Sequence, residues 1–198
     1  MTEEPHFILA SASPRRLELL NRHGFFPEVV PAEVVEYEDP AGNPREMVLH
    51  NAAIKARFCA DRFPNALVLG ADTTVALGSV VFNKPADREE ARAMLLGLSG
   101  KEHVVHTGVA LEWRAKRFVE IRCFTSRVRF KAFGEAVVSE YIRIVNPMDK
   151  AGAYGIQEGR ELIIEDYEEP LSNIMGLPVE WVSARLTALG IGAGQPRT

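Results

Sequence analysis

Apolar and polar positions alternate in two rhythms along the chain. Residues 7–10 (FILA) form a short apolar run that predicts a buried strand. Past Ser13 and Pro14 the spacing lengthens to a helical period over 14–23, with Gly24 as the stop. Ser13 is a natural N-cap, and Pro14 fits the first helical position, where its missing N–H is harmless. Residues 27–44 mix a strand with acidic, proline-rich loop, and 45–63 read as a helix ending before Pro64. ALVLGADTTVAL (66–77) is an apolar strand that runs into Gly70 and Asp72, and Gly78-Ser79 returns the chain through VVF as a hairpin. The next helix starts in a capping-box-like DREE at Asp87, buries a stripe of Ala91, Met94, Leu95 and Leu98, and ends at Gly100. Strand alternation then fills 103–113 and 118–133, joined by a turn at 114–117. A helix over 134–145 closes at Asn146-Pro147. The glycine-rich DKAGAYGIQEG precedes an expected strand, ELIIED (161–166), and PVEWVSARLTALG makes the last helix.

Strands interleaved with helices, plus two hairpins, predict an α/β fold with a mixed sheet. No repeat or linker divides the 198 residues, so a single domain is expected over 1–190 with a flexible tail at 191–198. With 46% hydrophobic residues the chain can bury a real interior. A net charge of −4 speaks against a broad nucleic-acid surface, so any anion site must be local. Two cysteines without a CxxC pattern suit structural thiols in a reducing compartment. The N-terminus lacks a basic segment and a long apolar run, and no window nears the ~18 apolar residues of a membrane span. A cytoplasmic protein with no membrane partner is the expectation.

Arg15 and Arg16 stand in the first turn of a helix, where the backbone dipole is already positive. Either an anion sits there, held by free N–H groups and guanidinium forks, or both side chains lean into water. Lys55 shares an apolar stripe with Val48, Ala52 and Cys59, so it points to the interior or a cleft edge and needs an anion unless it snorkels out. Asp72 lies at the end of a strand that looks buried on both faces, the usual place for a ligand in an open α/β sheet. A carboxylate there can bind a divalent cation or accept a proton, although a turn cap would use the same residue. Glu36 belongs to an acidic loop, and Lys84 to a loop between strand and helix. Asp149 and Lys150 open the glycine-rich stretch, whose Tyr154 and Gln157 are candidate contacts to a flat base. GLSGKE is not a P-loop, because Leu95 stands where its first glycine belongs. His103 and His106 fall on opposite faces of a strand and make a poor metal pair. Four cations (Arg15, Arg16, Lys55, Lys84) and two carboxylates (Glu36, Asp72) suit a polyphosphate with a divalent metal.

LASASPRR, GADTTV, NKP, LSGKEHVVHTGV and DKAGAYGIQ, in this order, resemble the Maf family of nucleoside triphosphate pyrophosphatases, from about residue 7 to 188. The resemblance implies an extended mixed sheet with flanking helices and two lobes around a central cleft, often in a dimer. It implies hydrolysis of a nucleoside triphosphate between the α and β phosphates. By motif, Asp72 is the proton acceptor; Arg15, Thr73 and Gln157 bear on substrate choice; Ser11, Arg16, Lys55 and Lys84 line the phosphate site. Glu36 matches the acidic position after the second strand and, with Asp72, would hold a divalent metal, magnesium by expectation. DKAGAYGIQ resembles the branch acting on dTTP and UTP. EEPLSNIMGLP lacks the Gly-x-Tyr common there, which leaves room for CTP or modified uridines. Two alternatives stand beside this: 7-methyl-GTP as substrate, and a nucleotide-binding regulator of cell division with little turnover.

Overall fold

Leu67 to Leu77 form the strand around which the molecule is organised. In the computed structural model, which describes residues 5–39 and 41–194, this strand (β3, Leu67–Leu77) is flanked on both edges. One edge pairs antiparallel with β5 (Glu102–Trp113) from Val68 to Ala76. The other is shared by two short strands: β1 (Phe7–Leu9), parallel at 67–69, and β4 (Val80–Phe82), antiparallel at 75–77. Residues 70–74 are therefore left without a strand on that edge. β2 (Glu28–Val29) lies parallel outside β1, while β6 (Phe118–Phe130) and β7 (Ile164–Tyr167) continue antiparallel beyond β5. The sheet is mixed, as the strand–helix alternation predicted.

Of the helices α1 (Pro14–Arg22), α2 (Pro44–Arg62), α3 (Arg88–Leu98), α4 (Glu135–Ile144) and α7 (Val179–Ala188), two start at a side-chain cap. Asn43 caps α2 through the N–H groups of Arg45 and Glu46, and Asp87 caps α3 through that of Glu90. Ser13 stands at the N-cap of α1 but makes no capping bond, which leaves the first turn open to the gap beside β3.

Two apolar clusters flank that gap. Leu9, Leu20, Leu69, Leu111, Val182 and Leu186 bind α1 and α7 to one part of the sheet. Leu95, Leu98, Val128, Phe130, Tyr141 and Ile163 bind α3 and α4 to the other. The two lobes around a cleft are these clusters. Under α2 a third cluster uses small residues, Ala52, Ala56 and Ala60. A Cβ at Gly70 would fall 2.3 Å from the Ala52 carbonyl oxygen, and one at Gly108 2.1 Å from that of Val48. Only glycine at both places lets the backbone of α2 lie this close to β3 and β5.

The expected strand at 161–166 begins later than its pattern suggested. Arg160–Ile163 form a helical turn (α5), which drops Ile163 among the core residues, and β7 starts only at Ile164. Packing of Ile163 outweighs the β propensity of this run. A further short helix, α6 (Leu171–Ile174), was not expected. Of the expected tail, residues 191–194 run against the end of α1: Ile191 is buried, and the Gly194 N–H donates to the Gly24 carbonyl at 2.9 Å. Residues 195–198 lie outside the described residues. Among the described residues no helix is long and apolar enough to cross a membrane.

Candidate active site

The unpaired stretch of β3 opens into a cleft of about 500 Å³ that both lobes line. Ser11, Arg15, Arg16, Glu36, Lys55, Asp72, Thr73, Lys84 and Gln157 all border it. Its size falls in the range of small-molecule sites.

Asp72 stands in the middle of β3, paired with Gly108, and not at the end of the strand as expected, because β5 carries the pairing on to Ala76. Asp72 and Gly70 share the face of β3 that meets α2, because alternate strand residues point the same way. The close approach of α2 carries Lys55 over Asp72, with Nζ 2.9 Å from Oδ1. The same ammonium lies 2.7 Å from Oε2 of Glu36. One nearly buried cation thus joins two carboxylates. Burial pushes the Asp72 carboxyl up, but the Lys55 ammonium, then Arg16 and the Asn51 amide, together pull it below the usual carboxylate range. Asp72 is ionised at neutral pH.

Asn51, one turn before Lys55 on α2, takes no part in the sequence-based candidate set, yet it is 2% exposed and fully engaged. Its Nδ2 donates to Oδ2 of Asp72 and to the Tyr37 carbonyl, each at 3.0 Å, and its Oδ1 accepts the Tyr37 N–H at 2.8 Å. The only sequence signal was its place on the Val48–Cys59 stripe.

Arg16 resolves the electrostatic oddity of α1 in an unexpected way. Its guanidinium is buried and donates to the Gly176 carbonyl at 2.8 Å and to Ser11 Oγ and Thr73 Oγ1, each at 3.0 Å. All three acceptors are neutral. Burial lowers its pKa, and the nearby Asp72 charge opposes that. Arg15 crosses the cleft mouth instead, pairing with the Asp149 carboxylate and donating to the Asp149 carbonyl at 3.0 Å. Neither arginine simply leans into water.

Lys84 is exposed at the rim and has no ion pair or hydrogen bond with another described residue. Its loop is nevertheless fixed: Thr74 donates to the Asn83 side chain at 3.2 Å, and Gly152 N–H to the Asn83 carbonyl at 3.2 Å. Gln157 is also exposed and borders the cleft. Tyr154, expected as a base contact, is a core residue: it is 5% exposed, and its hydroxyl meets His103 Nε2 at 2.9 Å. The Phe130 ring packs against both. The Tyr154 side chain joins Ala153 and Ile156 in the cluster under α3 and α4, while Gln157 in the following turn stays exposed.

These positions fall inside a match to the family model described as Maf-like protein, which spans residues 6–189. A dTTP/UTP pyrophosphatase of Desulfitobacterium hafniense (strain Y51) is 42% identical over 94% of this chain and 86% of its own length. One of Akkermansia muciniphila is 40% identical over 96% of this chain and 99% of its own. Among solved structures, "The structure of the Staphylococcus aureus Ham1 protein" is a distant neighbour, with TM-score 0.47 and 11% identity over 93% of this chain and 99% of that one. On the family match and the identity over nearly its whole length, the chain belongs to the Maf family.

Proposed function

We propose that this chain hydrolyses dTTP and UTP to the monophosphate and pyrophosphate, with CTP and modified uridine triphosphates as further substrates. Relatives bearing the dTTP/UTP pyrophosphatase name, at 40–42% identity over nearly their whole length, support the reaction. The observation that carries it is Arg16: a buried guanidinium hydrogen-bonded only to neutral oxygens, with no carboxylate among the described residues in direct contact and the Asp72 charge acting on it from farther off. Such a cation, beside the uncapped first turn of α1, fits an anionic substrate.

In this reading the triphosphate lies along the opening of β3. Arg16, Arg15 and Lys84 meet its phosphates and neutralise the charge that grows on departing pyrophosphate. Asp72 accepts the proton of a water whose oxygen bonds to the α-phosphorus, and the bridging oxygen leaves with the pyrophosphate. While Lys55 holds Asp72, that carboxylate is a weak base. Attraction of the Lys55 ammonium toward a phosphate oxygen relaxes the hold and raises the basicity of Asp72 as substrate arrives. Gln157 and Thr73, which both border the cleft, face the base and sugar end.

Glu36 and Asp72 also fit a divalent cation, since both carboxylates already reach one cationic nitrogen within 2.9 Å. Magnesium would be held there by the two carboxylates, with water and phosphate oxygens completing its shell. When bound, such an ion supplies charge neutralisation and a template for the phosphates. The free thiols Cys59 and Cys123 support a reducing, cytoplasmic setting.

Pyrophosphate release is the test, measured over dTTP, UTP, CTP, dATP, GTP and 7-methyl-GTP, with and without magnesium. Turnover confined to the pyrimidines supports the reading. Preference for 7-methyl-GTP moves the substrate class, and silence on every nucleotide favours a regulator.

A further inference from the structure

The acidic loop that carries Glu36 has almost nothing of its own to hold it. Residues 30–39 form neither helix nor strand, and Val35 is 94% exposed. Val30 is tied at the start of the loop, its N–H donating to the Leu9 carbonyl and its carbonyl accepting from Cys59 Sγ. From 31 to 38, the hydrogen bonds and ion pairs that reach other elements among the described residues go to two side chains. They are the Asn51 contacts with the Tyr37 backbone and the Lys55 contact with Glu36.

Asn51 offers the loop what a neighbouring strand would offer, one acceptor for the Tyr37 N–H and one donor for its carbonyl. Its remaining N–H reaches Asp72 Oδ2. The orientation of the amide follows from these partners, because only the oxygen can accept the Tyr37 N–H. Asn51 itself is 2% exposed, so losing a partner of its amide is unfavourable, although Tyr37 is half exposed. The neighbouring residue on the loop, Glu36, then needs no further ordering to reach Lys55.

We propose that Asn51 is a positioning residue, the clasp that joins the Glu36 loop to Asp72 as one preordered unit. It touches no substrate; it sets where Glu36 stands relative to Asp72. This rests on the hydrolytic reading above for its kinetic consequence, though not for its structural one. Reordering even one or two of these loop residues at each turnover costs several times RT, so an unclasped loop slows the step in which Glu36 takes part. The effect belongs in kcat more than in KM, because the phosphate contacts of Arg16 and Lys84 are untouched.

The test compares Asn51→Ala and the nearly isosteric Asn51→Leu with the parental protein by amide hydrogen exchange and by steady-state kinetics, with and without Glu36→Gln. Exchange across 31–38 is expected to quicken at least tenfold in both variants while α2 and β3 keep their protection. In the kinetics, kcat falls ten- to hundredfold with KM within a factor of three. Adding Glu36→Gln to Asn51→Ala then costs little more, since both changes remove one function. Unchanged loop exchange in folded variants overturns the proposal, as does full multiplication of the two kinetic losses. A parental protein inert on every nucleotide would overturn the hydrolytic reading alone, because the exchange measurement needs no turnover.

Discussion

Lys55 Nζ lies 2.9 Å from Asp72 Oδ1, with both side chains at least 87% shielded from water. A pair this dry owes its stability to completeness: remove one member and a buried charge remains. Lys55→Met should therefore cost about 3 kcal/mol at neutral pH, read as a lower urea midpoint at constant m. The Lys55→Met, Asp72→Asn double variant should recover most of that. Because the folded-state value of Asp72 is depressed, the pair stabilises fully above the ordinary carboxylate pKa near ~3.9 and fades as pH falls below it. The penalty of Lys55→Met should shrink over the same acid range.

Arg15 and Asp149 pair across the mouth of the cleft, where substrate must compete with the carboxylate. The pair is partly exposed, so its strength is at most about 1 kcal/mol. Asp149→Asn should lower KM for the nucleotide by two- to fivefold and leave kcat within a factor of two. A raised KM would mean that Arg15 is held in place by Asp149 rather than withheld by it.

His103 is packed between Phe130 and Tyr154, and burial pulls its pKa down to about 4. The unfolded chain takes up that proton near 6.5, so stability is full above 6.5 and falls as the pH drops toward 4. Over that range the loss amounts to roughly 3 kcal/mol. His103→Gln, which can still meet the Tyr154 hydroxyl, should flatten the dependence of the urea midpoint between pH 6.5 and 4.

Gly108 pairs with Asp72 across the sheet and underlies Val48 of α2. A methyl at 108 would sit 2.1 Å from the Val48 carbonyl oxygen, so the helix has to lift. Gly108→Ala should cost at least about 3 kcal/mol. Its residual folded protein should lose turnover as well, since lifting α2 draws Lys55 and Asn51 off Asp72.

What was legible along the chain is what depends on neighbours within a turn or a strand. The capped start of α3 and its buried stripe, and the long β5–β6 hairpin, follow from period and turn chemistry, as does the extent of β3 but not the place of Asp72 in its middle. So does the inward aim of Lys55, which its apolar stripe required. Periodicity could not bring those candidates together, and the five motifs carried that grouping by resemblance alone.

The tertiary structure decided the rest. Arg16 finds its carbonyl acceptor 160 positions away at Gly176, and Asn51 its two partners 14 and 21 positions away. Nothing local marks a buried asparagine as a clasp or an arginine as a buried cation that touches only neutral oxygens. Tyr154 turned inward and Arg160–Ile163 coiled because distant core residues offered better burial than the local pattern implied. Glycines 70 and 108 look like weak points in strands until α2 is laid upon them. The chain determined by itself which residues could carry charge, helix or strand; close packing of α2 on β3 determined which of them meet, because contact between distant segments depends on the whole chain's burial and not on any window of it.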